Sequence, residues 1–179
     1  MVSGNTLAGN GATDDPGAVP WLNDTEQHLW RAMLKCHRTV ERLIEVHLLE
    51  TIGISSADFS VLVTLSEAPG YTCRMRELCE SLEWDRSRMS HQITRMVKRE
   101  LVVKKRTLSD SRGIDVALTD KGLGMIQNAS PEHVRLVRSV VFDTLQEGEG
   151  GMAADDIAAA TKRYEEVMQV AQEALDSFR

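Results

Sequence analysis

The stretch that decides the fold is residues 74–122, RMRELCESLEWDRSRMSHQITRMVKRELVVKKRTLSDSRGIDVALTDKG. Apolar side chains recur at helical spacing over 74–82 and again over 85–99, with a turn at Glu83-Trp84 between the two segments. The side chains expected to face inward are Met75, Leu78, Cys79 and Leu82 in the first segment and Met89, Ile93, Met96 and Val97 in the second. Two short helices joined by a tight turn are typical of a helix-turn-helix motif.

The residues after the second helix change to a β-strand pattern. Residues 101–107 and 114–118 are rich in β-favouring side chains, and the polar segment 109–113 between them, SDSRG, is typical of a turn. A two-stranded hairpin directly after a helix-turn-helix is a wing. The sequence therefore predicts a mainly α fold with a small β-hairpin wing, that is, a winged helix-turn-helix flanked by N- and C-terminal dimerisation helices.

Before this motif, two amphipathic helices are predicted. The first spans about 24–52, with Asp24 and Gln27 placed as a possible capping box. Ser55 and Asp58 begin the second helix. The first helix is longer than a small core needs, which indicates a partner helix.

After the wing, one helix is predicted over about 120–145, kinked at Pro131, followed by a glycine-rich loop at 148–151. The final helix carries a stripe close to a heptad repeat, formed by Ile157, Ala160, Tyr164, Val167, Met168, Ala171, Ala174, Leu175 and Phe178. Such stripes would pack against a second copy of the chain, although a self-contained monomer is the alternative. The predicted organisation is a flexible tail at 1–20, a dimerisation helix at 21–53, the DNA-binding domain at 54–119 and C-terminal dimerisation helices at 120–179.

Charge is distributed unevenly along the chain. The net charge is −6, which by itself argues against a nucleic-acid partner. Between Arg74 and Arg112, however, eleven Lys and Arg face six Asp and Glu, a local excess of +5, whereas the rest of the chain carries −11. A compact basic segment in an acidic protein is typical of a small phosphate-binding surface, although a solvated basic face would have the same composition.

Residues 1–20 have neither the basic start nor the apolar run of a signal peptide, so a cytoplasmic protein is expected. The three cysteines, Cys36, Cys73 and Cys79, are an odd number without paired spacing, which also favours a reducing compartment.

The second helix of the motif carries the side chains expected to contact DNA. Arginine can bind guanine in a bidentate manner, and the first turns of a recognition helix are the ones that reach base edges. The residues predicted to face the groove are Arg86, Ser87, Arg88, Ser90, His91 and Gln92, and those predicted to contact phosphate are Arg74, Arg95, Lys98 and Lys105. At the wing tip, Arg112 is expected to enter the minor groove with Asp110 holding its guanidinium. Each of these residues could instead be merely solvated.

The sequence resembles the MarR family of winged-helix regulators from about Ser56 through Gly122. The stretch 75–105, MRELCESLEWDRSRMSHQITRMVKRELVVKK, is similar to the family's two helices and first wing strand. The segment 110–122, DSRGIDVALTDKG, is similar to its wing signature, with Asp110 and Arg112 at the wing tip and Leu118, Thr119 and Gly122 at the strand-to-helix junction.

The resemblance implies a homodimer that binds a palindromic operator and is released from it by a small-molecule effector, with repression as the usual mode. Two positions depart from the family pattern. Glu100 stands where glycine is usual, and a left-handed backbone there would cost roughly 1 kcal/mol more with Glu. Trp84 replaces a smaller aliphatic residue and is expected to cover the local core.

The effector is less well indicated. Six residues could line an apolar pocket or could belong to ordinary core packing: Trp30, Met33, Leu34, His37, Phe59 and Leu62. Cys36, with basic neighbours, is a redox candidate, because a branch of the family senses peroxides through a cysteine on its first helix. No cofactor is expected, and the five histidines form no metal-ligand motif.

The sequence contains no phosphate-binding loop, nucleophile elbow or HExxH motif, so an enzyme is not expected. A winged-helix protein-interaction module that does not bind DNA remains an alternative. Double-stranded DNA, a second copy of the chain and a small-molecule effector are the predicted partners, with no membrane.

Overall fold

The computed structural model describes residues 19–106, 113–148 and 150–178. The described part is mainly helical and contains one three-stranded antiparallel sheet. In chain order the elements are α1 (Asp24–Thr51), α2 (Ser56–Glu67), a 3₁₀ turn (Pro69–Tyr71), β1 (Thr72–Arg74), α3 (Met75–Ser81), α4 (Arg86–Lys98), β2 (Val102–Arg106), β3 (Ile114–Leu118), α5 (Asp120–Val137), a π-helical turn (Arg138–Phe142), α6 (Asp143–Gln146) and α7 (Ala154–Ser177). The chain divides into two compact units after Leu43, within α1.

In the first unit, α1 is capped one residue earlier than predicted. The Asn23 side chain accepts a hydrogen bond from the Glu26 amide at 2.9 Å, and the Glu26 carboxylate accepts one from the Asn23 amide at 2.8 Å. This reciprocal pair is the capping box, so the expected pairing of Asp24 with Gln27 is wrong. Gln27 instead donates to the Leu22 carbonyl at 3.2 Å.

The second unit begins with the C-terminal part of α1, followed by a sharp turn. Gly53, with φ of +75°, donates its amide to the Leu48 carbonyl at 3.0 Å. Ser55 and Asp58, the residues predicted to begin α2, form its capping box. The core of this unit is continuous and consists of Leu48, Ile54, Val61, Leu62, Leu65, Leu78, Met89, Ile93, Met96, Leu101, Val102, Val116, Ile126 and Ala129.

The predicted wing hairpin is part of a larger sheet. Strands β2 and β3 pair in antiparallel fashion, and β1 adds a third strand in the order β1-β3-β2, with Cys73 opposite Val116. A two-stranded wing is therefore incomplete as a description. Strand β1 has three residues, too few for an alternating pattern to be recognised in the sequence.

The junction between β3 and α5 is closely packed. The Thr119 side chain caps α5 by accepting a hydrogen bond from the Gly122 amide at 3.0 Å. A Cβ atom at Gly122 would lie 2.0 Å from the Leu101 carbonyl oxygen. This position therefore requires glycine because the backbone before β2 approaches the first turn of α5.

The helix predicted over 120–145 is interrupted. Helix α5 continues through Pro131 to Val137, and the irregularity lies further on, in the π-helical turn before α6. Helix α7 follows as a separate element. Its large apolar side chains are exposed, namely Tyr164, Val167, Met168, Val170 and Leu175.

Among the described helices, none alone is long and apolar enough to cross a bilayer. Only α1 and α2 taken together, bent at the turn between them, reach the required length and composition.

Candidate nucleic-acid interface

Helices α3 and α4 form the helix-turn-helix. Helix α3 ends at Ser81 with Leu82 as its C-cap. Glu83 has a left-handed backbone with φ of +52°, which lets the Trp84 amide donate to the Cys79 carbonyl at 3.0 Å. Asp85 then caps α4 by accepting a hydrogen bond from the Arg88 amide at 2.8 Å. The tight turn expected from the sequence is therefore present between the two helices.

One side of α4 is buried in the core and the other is exposed. Met89, Ile93 and Met96 are fully buried, as predicted, whereas Val97 keeps 37% of its surface and lies at the edge of the core. Eight polar side chains form the exposed surface of the helix: Arg86, Ser87, Arg88, Ser90, His91, Thr94, Arg95 and Lys98. Four of these eight side chains are cationic, and the surface includes no carboxylate.

The structure corrects the prediction that Gln92 contacts DNA. Only 2% of its surface is exposed, and its amide Nε2 donates to Asp58 Oδ1 at 2.6 Å while its Oε1 accepts from Arg95. The residue is three positions after Met89 and directly before Ile93, so it lies on the inner stripe of the helix. Both ends of the amide are occupied within the chain, so the expectation that Gln92 faces the groove is not supported.

Arg88 is held at the first turn of α4 by an aromatic ring. Its guanidinium carbon lies 4.2 Å from the centroid of the Trp84 ring, within the range of a cation–π contact. Trp84 is half-buried and packs against the core, as expected, but it also restricts the side chain of Arg88.

Strand β2 brings further positive charge close to α4. Lys104 Nζ donates to Thr94 Oγ1 at 3.1 Å, which links the wing strand to the exposed side of the helix. Lys105 and Arg106 are exposed on the same strand. The predicted wing-tip pair, Asp110 and Arg112, lies outside the described residues.

Arg74 is exposed at the end of β1, directly before α3. Its amide donates to Glu77 Oε2 at 3.0 Å, and the Cys73 thiol donates to the same oxygen at 3.3 Å. These two hydrogen bonds, that from Arg74 first, hold the pKa of Glu77 below its usual range. Burial, together with the nearby Glu77 carboxylate, raises the pKa of the Cys73 thiol to about 11.

Comparison with known proteins identifies the family. The MarR family model matches residues 52–113. AbsC, a MarR family transcriptional regulator from Streptomyces coelicolor, is 33% identical with a TM-score of 0.79, and the match covers 87% of this chain and 99% of AbsC. The chain belongs to the MarR family. This family consists of DNA-binding transcription regulators and not of enzymes, in agreement with the sequence.

Two solved structures of MarR family proteins contain DNA. Sco3205 from S. coelicolor, determined in complex with DNA, is 30% identical with a TM-score of 0.74, and the match covers 87% of this chain and 94% of that one. A mutant MarR from E. coli, complexed with operator DNA, has a TM-score of 0.64 at 23% identity over 78% of this chain and 93% of that one, and it supports the fold alone. No curated protein sequence matches the chain.

Within this MarR fold, Glu100 adopts the left-handed conformation that favours glycine, with φ of +62°. The Glu100 amide donates to the Val97 carbonyl and the Leu101 amide to the Met96 carbonyl, both at 3.0 Å, which is the Schellman pattern of a helix end. The helix exit is therefore built with Glu at the position where the family usually has glycine.

The effector candidates are distributed over both units. Leu62 is fully buried in the core, and the ring of Phe59 lies 4.6 Å from that of His133 on α5. In the first unit, His37 Nε2 lies 3.3 Å from Glu41 Oε2, and the other three candidates on α1 are Trp30, Met33 and Leu34.

The redox candidate Cys36 is exposed on α1, and all three cysteines are free thiols. Burial raises the pKa of Cys79, as it does that of Cys73, so both of these side chains are protonated thiols at neutral pH. Within 19–106, 113–148 and 150–178, no group of three His, Cys, Asp or Glu residues could hold a metal ion.

Proposed function

We propose that this MarR family protein binds a palindromic DNA operator as a homodimer and represses transcription until a small-molecule effector releases it. The observation that carries the proposal is the surface of α4, which is buried on one side and presents four cationic and four other polar side chains on the other. A helix of this kind fits the major groove and can contact base edges and phosphates together. The DNA-bound structure of Sco3205 supports the same use of the fold.

The contacts divide by their position along α4. Arg86, Ser87 and Arg88 lie in the first turn, where base edges are reached, and Trp84 keeps the guanidinium of Arg88 from spreading over many rotamers. Ser90 and His91 follow on the next turn. The phosphate contacts are assigned to Arg74, Arg95, Lys98 and Lys105, and the wing-tip contacts to Asp110 and Arg112.

Dimerisation is assigned to the flanking helices. The apolar side chains Tyr164, Val167, Met168 and Leu175 on α7 each leave more than half of their surface exposed, which is unusual for a helix that faces only water. A second copy of the chain would bury this stripe by a symmetric contact. The same symmetry would place two α4 helices on the two halves of a palindrome.

Selection of bound fragments from random double-stranded DNA tests the proposal. The wild-type chain is expected to enrich a palindrome, and the mass of the complex should correspond to two chains on one duplex. Arg88→Ala should lower discrimination at one or two bases of each half-site by about 1–3 kcal/mol each. Lys162→Ala serves as the control because Lys162 is exposed on α7 two positions before Tyr164, so it lies on the side of the helix opposite the apolar stripe. Enrichment of no sequence would refute the proposal.

Repression and effector release need a separate measurement. Expression of a reporter gene behind the selected operator should be silenced by the protein and restored by a member of a library of small organic molecules. A substitution at Phe59 should reduce that restoration without weakening DNA binding. Increased reporter expression in the presence of the protein alone would indicate an activator and would contradict the repressor assignment.

A further inference from the structure

A buried carboxylate lies between α2 and α4. Asp58 has only 5% of its surface exposed, and its oxygens accept hydrogen bonds from Gln92 Nε2 at 2.6 Å and from Arg99 Nη1 at 2.7 Å. Asp58 Oδ2 also accepts the capping-box hydrogen bond from the Ser55 amide at 3.1 Å. A charge at this depth is tolerated because it is both paired and hydrogen-bonded.

The network continues in two directions from Asp58. Arg99 uses its second nitrogen, Nη2, to donate to the Gly53 carbonyl at 2.7 Å, in the turn between α1 and α2. Gln92 accepts from Arg95, whose side chain lies on the exposed side of α4. A continuous set of polar contacts therefore joins the α1–α2 turn to an exposed arginine of the recognition helix.

We propose that Asp58, Gln92 and Arg99 are positioning residues that set the orientation of α4 and of Arg95, so that DNA specificity depends on side chains that do not contact DNA. Gln92 and Arg99 are seven residues apart, about two helical turns or roughly 10 Å along the axis. Two anchor points at that separation, both on the Asp58 carboxylate, oppose rotation of α4 about its axis. The inference rests on the proposed DNA-binding function.

Arg95 lies between Gln92 and Arg99 along the chain, and its side chain is the one that these two residues restrict most. A long arginine side chain loses rotamer freedom when it binds a phosphate or base, and that loss is smaller when the side chain is already held. Gln92 Oε1 provides this hold. The guanidinium of Arg99 is held by Asp58 and by the Gly53 carbonyl, through one terminal nitrogen each, which restricts its movement toward a phosphate.

Arg99 offers the cleanest test because its side chain is 42% exposed, so its replacement opens no cavity in the apolar core, while Asp58 keeps its hydrogen bonds from Gln92 and from the Ser55 amide. The test compares Arg99→Met with Lys162→Met, which also removes one positive charge, by measuring Kd for the selected operator and for a scrambled duplex at one salt concentration. For Arg99→Met the Kd for the scrambled duplex divided by the Kd for the operator should fall about tenfold, the discrimination of one well-placed arginine–base pair. Binding to the scrambled duplex should match that of Lys162→Met. Arg99→Lys keeps the charge but cannot serve both acceptors at once, and it should restore the ratio only in part.

Two results would overturn the proposal. An unchanged ratio accompanied by lower thermal stability would mean that the network is merely structural. An equal loss of affinity for operator and scrambled DNA, with the slope of log affinity against log salt reduced by about one, would mean that Arg99 contacts a phosphate itself.

Gln92→Leu gives a second, independent readout. It removes the other anchor, so the base positions at which its preference changes should coincide with those affected by Arg99→Met. The double variant should lose little more than the stronger single variant, because both act through Asp58. Changes at other base positions, or losses of discrimination that add fully in the double variant, would contradict the proposed positioning role. If the wild-type chain selects no sequence, both the proposed function and the positioning role are refuted. If an operator is selected but the ratio of Kd values is unchanged in Arg99→Met, the positioning role alone is refuted.

Discussion

The close approach at Gly122 allows the effect of a single methyl group to be worked out. In Gly122→Ala the new Cβ would lie 2.0 Å from the Leu101 carbonyl oxygen and 3.3 Å from Leu118 Cδ2. Relief requires a movement of about 1 Å, because Cβ atoms are not found closer than 3.0 Å to such an oxygen. That oxygen also accepts from the Thr119 amide at 3.2 Å, so its displacement weakens this hydrogen bond, whereas the Thr119 hydroxyl donates at shorter distance, 2.6 Å, to the Glu100 carbonyl.

The cost combines overpacking, about 1–3 kcal/mol, with about 1 kcal/mol for the weakened hydrogen bond. We expect a loss of about 3 kcal/mol in the free energy of unfolding and a decrease in Tm of roughly 6–12 °C for a chain of this size. Urea titration followed by circular dichroism, at a fixed protein concentration, measures the first quantity, and a thermal scan measures the second.

Gly124→Ala is the matched control, because Gly124 lies two residues further along α5 and a Cβ there would meet nothing within 4 Å. Alanine is the better helix former, so this variant should be unchanged or stabilised by up to about 1 kcal/mol. Equal unfolding free energies for the two variants would refute the packing argument at the β3–α5 junction.

Three further outcomes follow from single contacts. Trp84→Leu keeps an apolar side chain but removes the ring beneath Arg88, so affinity for the selected operator should fall about two- to fivefold in fluorescence anisotropy; unchanged affinity would exclude a role for the ring. Glu100→Gly should stabilise the fold by about 1 kcal/mol in urea titration, because φ there is +62°, and a loss of stability would contradict this. Burial and the nearby His47 lower the pKa of His133 below 6.5, so the unfolded chain binds the proton more tightly and stability should decrease as pH falls through 6.5. In His133→Leu the urea midpoint should change less between pH 7 and pH 5 than in the wild type. An unaltered pH dependence would contradict the role of His133.

Local signals in the sequence predicted much of the fold because they act over a few residues. The start of α2 at Ser55 and Asp58, the two helices of the motif and the strand pair of the wing all follow from spacing over a few residues. For Glu100 the sequence indicated only that a left-handed backbone would be costly, and the structure has that conformation. The cap of α1 was misplaced by one residue because Asn23 and Asp24 are both good caps, and only the hydrogen bonds distinguish them.

The misjudged site residue, Gln92, depends on long-range structure. Its partner Asp58 is 34 positions away, and Arg99 reaches the same carboxylate from 41 positions away. Polarity alone placed Gln92 on the surface, although its spacing from Met89 and Met96 places it on the buried stripe. A single sequence contains no sign of which distant carboxylate would compensate such a buried amide.

The central claim is that the basic surface of α4 and β2 binds DNA in spite of a net charge of −6. The most direct measurement is the affinity for the selected operator as salt is raised from 50 to 200 mM. Release of counterions from six to ten phosphates should lower that affinity by roughly 10³–10⁵-fold. An affinity that stays constant over this range would contradict the account and would favour a winged-helix module that binds a protein.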